Sequence, residues 1–428
     1  MKCNDKKIVR KLINTILFTL FFAIPSVLYA ANGERSDSAM VAYLRSEGVA
    51  ITHGNRVCLL KSGEEKFNDL FMAIRKAKHY IHLEYFNFRN DSIAALLFSE
   101  LDKKVKEGVK VRAIFDAFGN WSNNKPLKNR HLKELAKRGI DIVKYDPLNF
   151  PFIGDFISRD HRKIVIIDGQ IAYTGGMNVA DYYIEGLPAF GDWRDIHMRI
   201  EGPAVDELQR IFLSMWEKST DERLTDSIYY FPPKTVQFHL PGTIDNVTIG
   251  IVDRIPRKTP KLMREAYAHA ILSANEKIEL INPYFVPTRT VRRALKKAVQ
   301  KGVDVQVMVS VKGDIPITPD ASMHVARQLN KCGATIYQFE GGFHHSKIMM
   351  VDDTFCTVGS TNLNSRSLRY DYEVNAFIFD PRVTNQLSDI FNADKQQSSI
   401  MTDENWKQRS YWHRFVGWLS NLILTPFL

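Results

Sequence analysis

A chain of 428 residues exceeds what one small core needs and is long enough for two domains. With 45% hydrophobic and 25% charged residues it excludes a long disordered tract, and a formal net charge of +10 favours anionic partners: nucleic acid, acidic lipid headgroups or phosphorylated substrates. The four cysteines, Cys3, Cys58, Cys332 and Cys356, lack paired spacing, which argues against a zinc ligand set or a disulfide framework and for small buried thiols.

At the N-terminus Lys2, Lys6, Lys7, Arg10 and Lys11 precede an apolar run from Ile13 to Ile24, followed by Pro25 and Leu28-Tyr-Ala30. A short apolar stretch behind positive charges and before a small residue reads as an export segment. It is either a signal peptide cleaved after Ala30 or an anchor retained across a thin bilayer. The positive-inside rule gives one topology in both cases: the body lies on the extracytoplasmic side of the membrane.

Beyond it, the same order of elements occurs twice. In the first half Phe67–Lys78, Ile93–Lys106 and His131–Arg138 carry helical patterns, alternating with strand patterns at Tyr80–Phe86, Val109–Phe115 and Ile140–Lys144. In the second half Leu262–Ala274, Thr290–Lys301 and Ser322–Lys331 are helical, and Lys277–Ile281, Val303–Val309 and Ala334–Tyr337 are strands. Glu107-Gly-Val-Lys-Val and Lys301-Gly-Val-Asp-Val share a turn in which glycine ends the helix. The alternation predicts an α/β fold of two similar α/β/α sandwich halves built largely on parallel pairings. The expected division is 1–30 as signal or anchor, 31–217 as the first half, 218–246 as a proline-bearing connector, 247–400 as the second half, and 401–428 as a tail.

Each half ends in one pattern. The first is His161-Arg-Lys163-Ile-Val-Ile-Ile-Asp168, continuing to Gly175-Gly176-Met-Asn178. The second is His345-Ser-Lys347-Ile-Met-Met-Val-Asp352, continuing to Gly359-Ser360-Thr-Asn362. Each residue of the second lies 184 positions after its counterpart. His161 and Lys163, two apart on a strand, point from the same face. Reading Asp168-Gly169 as a two-residue hairpin turn pairs Ile167 with Gln170 and sets Gly176 opposite His161, with Asn178 just beyond. The same count sets Ser360 opposite His345. Imidazole, ammonium, carboxamide and small-residue backbone N–H groups then converge on one spot, and a helix expected after each asparagine adds a positive dipole end. That is a site for a phosphate group. Asp168 and Asp352 lie an odd number of residues from the histidines and face away. They are expected to fix the turns and support the site without moving protons. Period-two alignment of Tyr372-Glu373-Val-Asn-Ala-Phe with Arg194-Asp195-Ile-His-Met-Arg makes Glu373 the expected orienter of His345, and Asp195 that of His161.

At these residues the chain resembles the phospholipase D superfamily, and more narrowly the bacterial cardiolipin synthases. Trp193-Arg-Asp-Ile-His-Met-Arg-Ile-Glu-Gly-Pro203, Ile281-Asn-Pro-Tyr-Phe-Val-Pro287, Arg366-Ser-Leu368 and Glu373-Val-Asn375 are similar to that family's flanking segments. The resemblance runs from about Phe67 to the C-terminus. It departs in having a single export segment where some relatives carry two membrane helices, and in a second turn, Asp352-Asp353, without glycine. It implies a catalytic set of His161, Lys163, Asp168, His345, Lys347 and Asp352, with Asn178, Asn362, Gly176 and Ser360 around the phosphate. It also implies that one histidine is the nucleophile, most often the first-half one, and that no metal or cofactor takes part. The substrate implied is phosphatidylglycerol, exchanged with a second phosphatidylglycerol to give cardiolipin and glycerol.

Two other reactions share such a site: hydrolysis of the lipid by water, and cleavage of a nucleic acid. Export and an apolar tail count against a nucleic-acid substrate. In that tail Trp412, Phe415, Val416, Leu419, Leu422 and Ile423 fall on one helical face, expected either to lie in a membrane surface or to pack on the domain. Aromatic Phe150–Ile157 is expected at the lipid entry or in the core.

Overall fold

The computed structural model describes residues 35–147, 157–235, 238 and 240–423. The expected export segment and most of Phe150–Ile157 lie outside the described residues; Ile157 itself is exposed. The described residues from Ser36 onward form one compact unit.

A single sheet of fifteen strands runs through it. From one edge inward, the first half contributes Ile140–Tyr145, Lys110–Asp116, Tyr80–Tyr85, Ile164–Ile167, Ile171–Gly175, His197–Glu201 and Ile51–Leu60. From the other edge, after the short Ser398–Ile400, the second half contributes Thr335–Phe339, Asp304–Ser310, Lys277–Ile281, Ile348–Val351, Phe355–Gly359, Glu373–Phe379 and Ile244–Arg254. The order is the same in both, and the halves meet where Ile51–Leu60 pairs antiparallel with Ile244–Arg254. In each half three neighbouring strands towards the edge are parallel, as the helical crossovers between them require; the inner ones and the edge strand Ser398–Ile400 pair antiparallel.

The strands holding the motifs are buried on both faces, which explains their unbroken apolar runs. Ile164 and Ile166 face one core while Val165 and Ile167 face another. In the second half Ile348 and Met350 face the first of these cores, and Met349 and Val351 face a third. One core therefore extends beneath both halves, closed by helices Ala204–Thr220 and Pro381–Lys395, while each half keeps its own core on the opposite face. Every fully buried side chain of this size contributes about 1.5–3 kcal/mol, so the shared core is a strong tie between the halves.

The expected elements are present, with ends shifted by a few residues. The two joining strands have no counterpart among the expected elements. Ile51–Leu60 runs through Thr52, His53 and Asn55 in its first half, and its register slips around Asn55. Ile244–Arg254 begins inside the expected connector and carries Gly250 mid-strand, where a Cβ would stand 2.8 Å from Ile51 Cδ1. The expected connector also holds the end of helix Ala204–Thr220 and a short helix, Ser227–Tyr230.

Candidate active site

The turn after each motif strand differs from the two-residue hairpin expected. Ile167 pairs with Ile171 and Val351 with Phe355, so each turn holds three residues. Asp168 and Gly169 adopt left-handed φ of 53° and 63°, and Asp352 and Asp353 of 49° and 53°. Aspartate tolerates that region, which is why the second turn manages without glycine. The extra residue moves the register by one, so Gly176 is not opposite His161 as expected.

Asp168 and Asp352 hold these turns. The Asp168 carboxylate accepts from the amides of Lys78, His79 and Tyr80 at 2.7–2.9 Å. Asp352 accepts from those of Asn275, Glu276 and Lys277 at 2.7–3.0 Å. Both therefore sit at the far end of their strands from the histidines and pin the hairpin to the start of the neighbouring strand.

At the near end, the backbone of each histidine is tied to the other half. His161 N donates to Tyr372 O and His345 N to Arg194 O. Two short parallel bridges accompany them, Asp160 with Tyr372 and Phe343–His344 with Trp193–Arg194. Because the bridges cross the joint, each imidazole meets the carboxylate of the opposite half. His161 Nδ1 lies 3.0 Å from Glu373 Oε1, and His345 Nδ1 lies 2.7 Å from Asp195 Oδ2. The residues expected to orient the histidines are both in place, with their partners exchanged. Alignment of the halves finds equivalent residues, but contact follows the two-fold-like arrangement, which swaps them.

Gly176 and Ser360 lie behind the carboxylates. A Cβ on Gly176 would stand 2.2 Å from Asp195 Oδ1, and the Ser360 hydroxyl donates to Glu373 Oε2. Their backbone N–H groups are spent on Ile196 O and Val374 O, so they are not the phosphate donors expected. The helices after the asparagines, Tyr182–Glu185 and Ser365–Arg369, are barely a turn long and begin three or four residues later.

Lys163 and Lys347 are fully buried, each ammonium donating to the carbonyl of its own motif histidine. His161, His345, Asn178 and Asn362 line a cavity of about 590 Å³ between the halves. Burial, partly offset by Glu373, lowers His161 to about 4, and burial with the nearby lysines takes His345 down as well. Both imidazoles are therefore neutral near pH 7. Burial also lowers Lys163 to about 7 and Lys347 to about 8. Burial raises Asp195 to about 6 against the pull of Lys347, whereas for Glu373 the attraction of His161 and Lys163 overcomes burial and lowers it. With its carboxylate partner ionised, each imidazole carries its proton on Nδ1 and offers the Nε2 lone pair for attack.

The wall also contains residues that motif reading did not select. Trp193, Tyr183 and Tyr284 line the cavity, and together with Phe343 they stand around His345 with ring centroids at 5.5–6.4 Å. Arg366 lines the cavity and donates through Nε to Asp371, two residues before Glu373. Trp193, Tyr284 and Arg366 all lie in the flanking segments named above, which was the available signal. Lys66, completely buried, donates to the backbone carbonyl of Asn178 at 3.0 Å, and nothing in its helical context announced it.

A family profile described as "Cardiolipin synthase, PLD-like domain" matches residues 70–216 and 267–395. A protein of Oceanobacillus iheyensis named cardiolipin synthase is 37% identical over 89% of this chain and 77% of its own. One of the same name from Geobacillus kaustophilus is 35% identical over 88% of this chain and 73% of its own. Among solved structures, the phosphatidylserine synthase of Haemophilus influenzae Rd KW20 superposes with a TM-score of 0.69 at 14% identity, covering 91% of this chain and all of that one, which shows a shared fold. The duplicated motif, the paired halves and these relatives agree: the chain belongs to the cardiolipin synthase family of phospholipase D-like proteins.

Proposed function

We propose that the protein is a phosphatidyltransferase that converts two molecules of phosphatidylglycerol into cardiolipin and glycerol through a phosphohistidine intermediate. The observation that carries the reading is the crossed pair of buried histidine–carboxylate contacts opening on one cavity.

Nε2 of one histidine, His161 on this reading, attacks the phosphorus of the first lipid. The bond to the glycerol headgroup oxygen breaks, and that oxygen takes a proton from the other histidine. A phosphodiester anion in the cavity raises the proton affinity of the imidazoles, which supplies the acid form that burial disfavours. His345, now neutral, takes the proton from a headgroup hydroxyl of the second lipid. The resulting oxygen displaces His161 and forms cardiolipin. One phosphodiester replaces another, so no nucleotide is consumed. Lys163, Lys347, Asn178 and Asn362 stabilise the phosphoryl oxygens, where fixed charges in a dry site act most strongly. Asp168 and Asp352 serve as positioning residues.

The reading includes a catalytic body of two halves, 31–217 and 247–400, joined by 218–246. It stands on the extracytoplasmic face of the membrane and takes its substrate from the lipid surface. Among the described residues no helix is long and apolar enough to cross a membrane.

The test is incubation of the purified chain with phosphatidylglycerol in mixed micelles, beside His161→Ala and His345→Ala. Cardiolipin and glycerol in equal amounts, absent from both variants, support transfer. Phosphatidic acid alone makes the protein a hydrolase, and cleavage of DNA without lipid turnover makes it a nuclease.

A further inference from the structure

The C-terminal helix Tyr411–Ile423 presents the opposite of a buried apolar stripe. Its packed side is small and polar. Gly417 is buried so closely that a Cβ would stand 2.4 Å from Asp320 O, and Ser420 is 5% exposed. His413 Nδ1 bonds Asp320 at 2.9 Å, and Arg409 donates to the other oxygen of the same carboxylate. On the outer side Tyr411, Trp412, Phe415, Trp418 and Leu422 are 48–84% exposed. Val416 and Leu419, expected on the same face as Trp412, are half-buried at its edge. Water-facing aromatics in such number are costly unless something covers them.

Two neighbours indicate what covers them. The first is helix Arg289–Gln300, joined to the tail by Arg292 donating to Asn421 Oδ1 at 2.7 Å. Its sequence, with Lys301 after it, carries Arg289, Arg292, Arg293, Lys296 and Lys297 and no acidic residue, and all but Arg292 of these are exposed. The second is helix Thr318–Asn330, whose Asp320 and His324 seat the tail while its first residue, Thr318, lines the catalytic cavity beside the exposed Ile315. Aromatics, a cationic flank and the wall of the catalytic cavity thus share one helix seat.

We infer that this face docks on an anionic lipid surface, with Trp412, Phe415, Trp418 and Leu422 entering the interface and the Arg289–Lys297 flank meeting the phosphates, so that the cavity opens where the lipid lies. The inference rests on the lipid-transfer reading. Tryptophan belongs at the boundary between headgroups and acyl chains, and basic residues add attraction that falls with the anionic lipid content.

The experiment uses the full chain with Cys3→Ser and Cys332→Ser, labelled with an environment-sensitive fluorophore at Phe415→Cys, or at Lys106→Cys as a remote control. With vesicles of phosphatidylglycerol and phosphatidylcholine bearing nitroxides on the acyl chains, the label at 415 is quenched and that at 106 is not. Arg293→Glu, Lys296→Glu, Lys297→Glu weakens the association that produces this quenching roughly hundredfold. The same variant keeps the wild-type turnover of short-chain phosphatidylglycerol dispersed below its micelle concentration. No quenching at 415, equal quenching in pure phosphatidylcholine, or a blue shift that follows protein concentration without vesicles overturns the inference; the last identifies a second copy as the occupant. If the unvaried chain does not turn over the dispersed lipid, the chemical reading has failed, and the quenching still decides the docking.

Discussion

The two histidines occupy the same backbone frame in different surroundings. Around His345 stand four aromatic rings, and its carboxylate partner, Asp195, is raised to about 6. Around His161, among the described residues, the aromatic neighbour is Phe86, at 5.0 Å. Its partner Glu373 is held low, and the second oxygen of Glu373 takes the Ser360 hydroxyl. Duplication preserved the geometry of hydrogen bonding while the walls diverged. Geometry makes either imidazole able to attack; the walls decide how tightly each holds a proton. A reaction needing one base and one acid is served by such inequality.

The largest effects test whether the two are equally required. His161→Ala and His345→Ala should each lower kcat/KM by at least about 10³-fold, since each removes a nucleophile or a proton carrier. Activity surviving in one variant would break the paired scheme. Next, Glu373→Gln and Asp195→Asn should each cost roughly 10²- to 10⁴-fold. The sharper readout is NMR: the ¹⁵N resonances of the His161 ring should move in Glu373→Gln and stay in Asp195→Asn. The reverse would restore the uncrossed pairing.

The contrast at the small residues predicts a smaller, unequal pair. Gly176→Ala drives a methyl against Asp195 and should lower turnover about tenfold or more through misplacement of His345. Ser360→Ala removes one hydrogen bond to Glu373 and should cost only about 1 kcal/mol. Equal effects would mean that the carboxylates are not held as described. Smallest is the pH response of kcat/KM. Asp195 acts ionised and its value is raised, so activity should fall as pH drops through about 6. Lys163 and Lys347 act charged and are lowered, so activity should fall again as pH rises past about 7 to 8. The acid limb should disappear in Asp195→Asn.

Much of this was legible in the sequence because it rests on local rules. Apolar runs bounded by Gly-Val turns gave the outer strands and helices, and a constant offset exposed the duplication. What escaped depends on contacts between distant segments. The joining strands are irregular, with a register slip at Asn55 and a glycine at 250, so period-two reading passes over them. The exchange of Glu373 and Asp195 arises only when the halves face each other. The turn at Asp168-Gly169 is one residue longer than its motif favours, because three amides recruited by the carboxylate stabilise the longer form. Lys66 reaches Asn178 across 112 positions, beyond any local pattern.

The crossed carboxylates also bear on how activity arises during synthesis. A ribosome that has made only the first half has produced His161, Lys163 and Asn178, but the group that holds the His161 tautomer is 212 residues further on, in the second half. A first half made alone therefore carries a motif histidine without the carboxylate that orients it. Full competence is expected only once the second half has been made and Glu373 has closed beside His161.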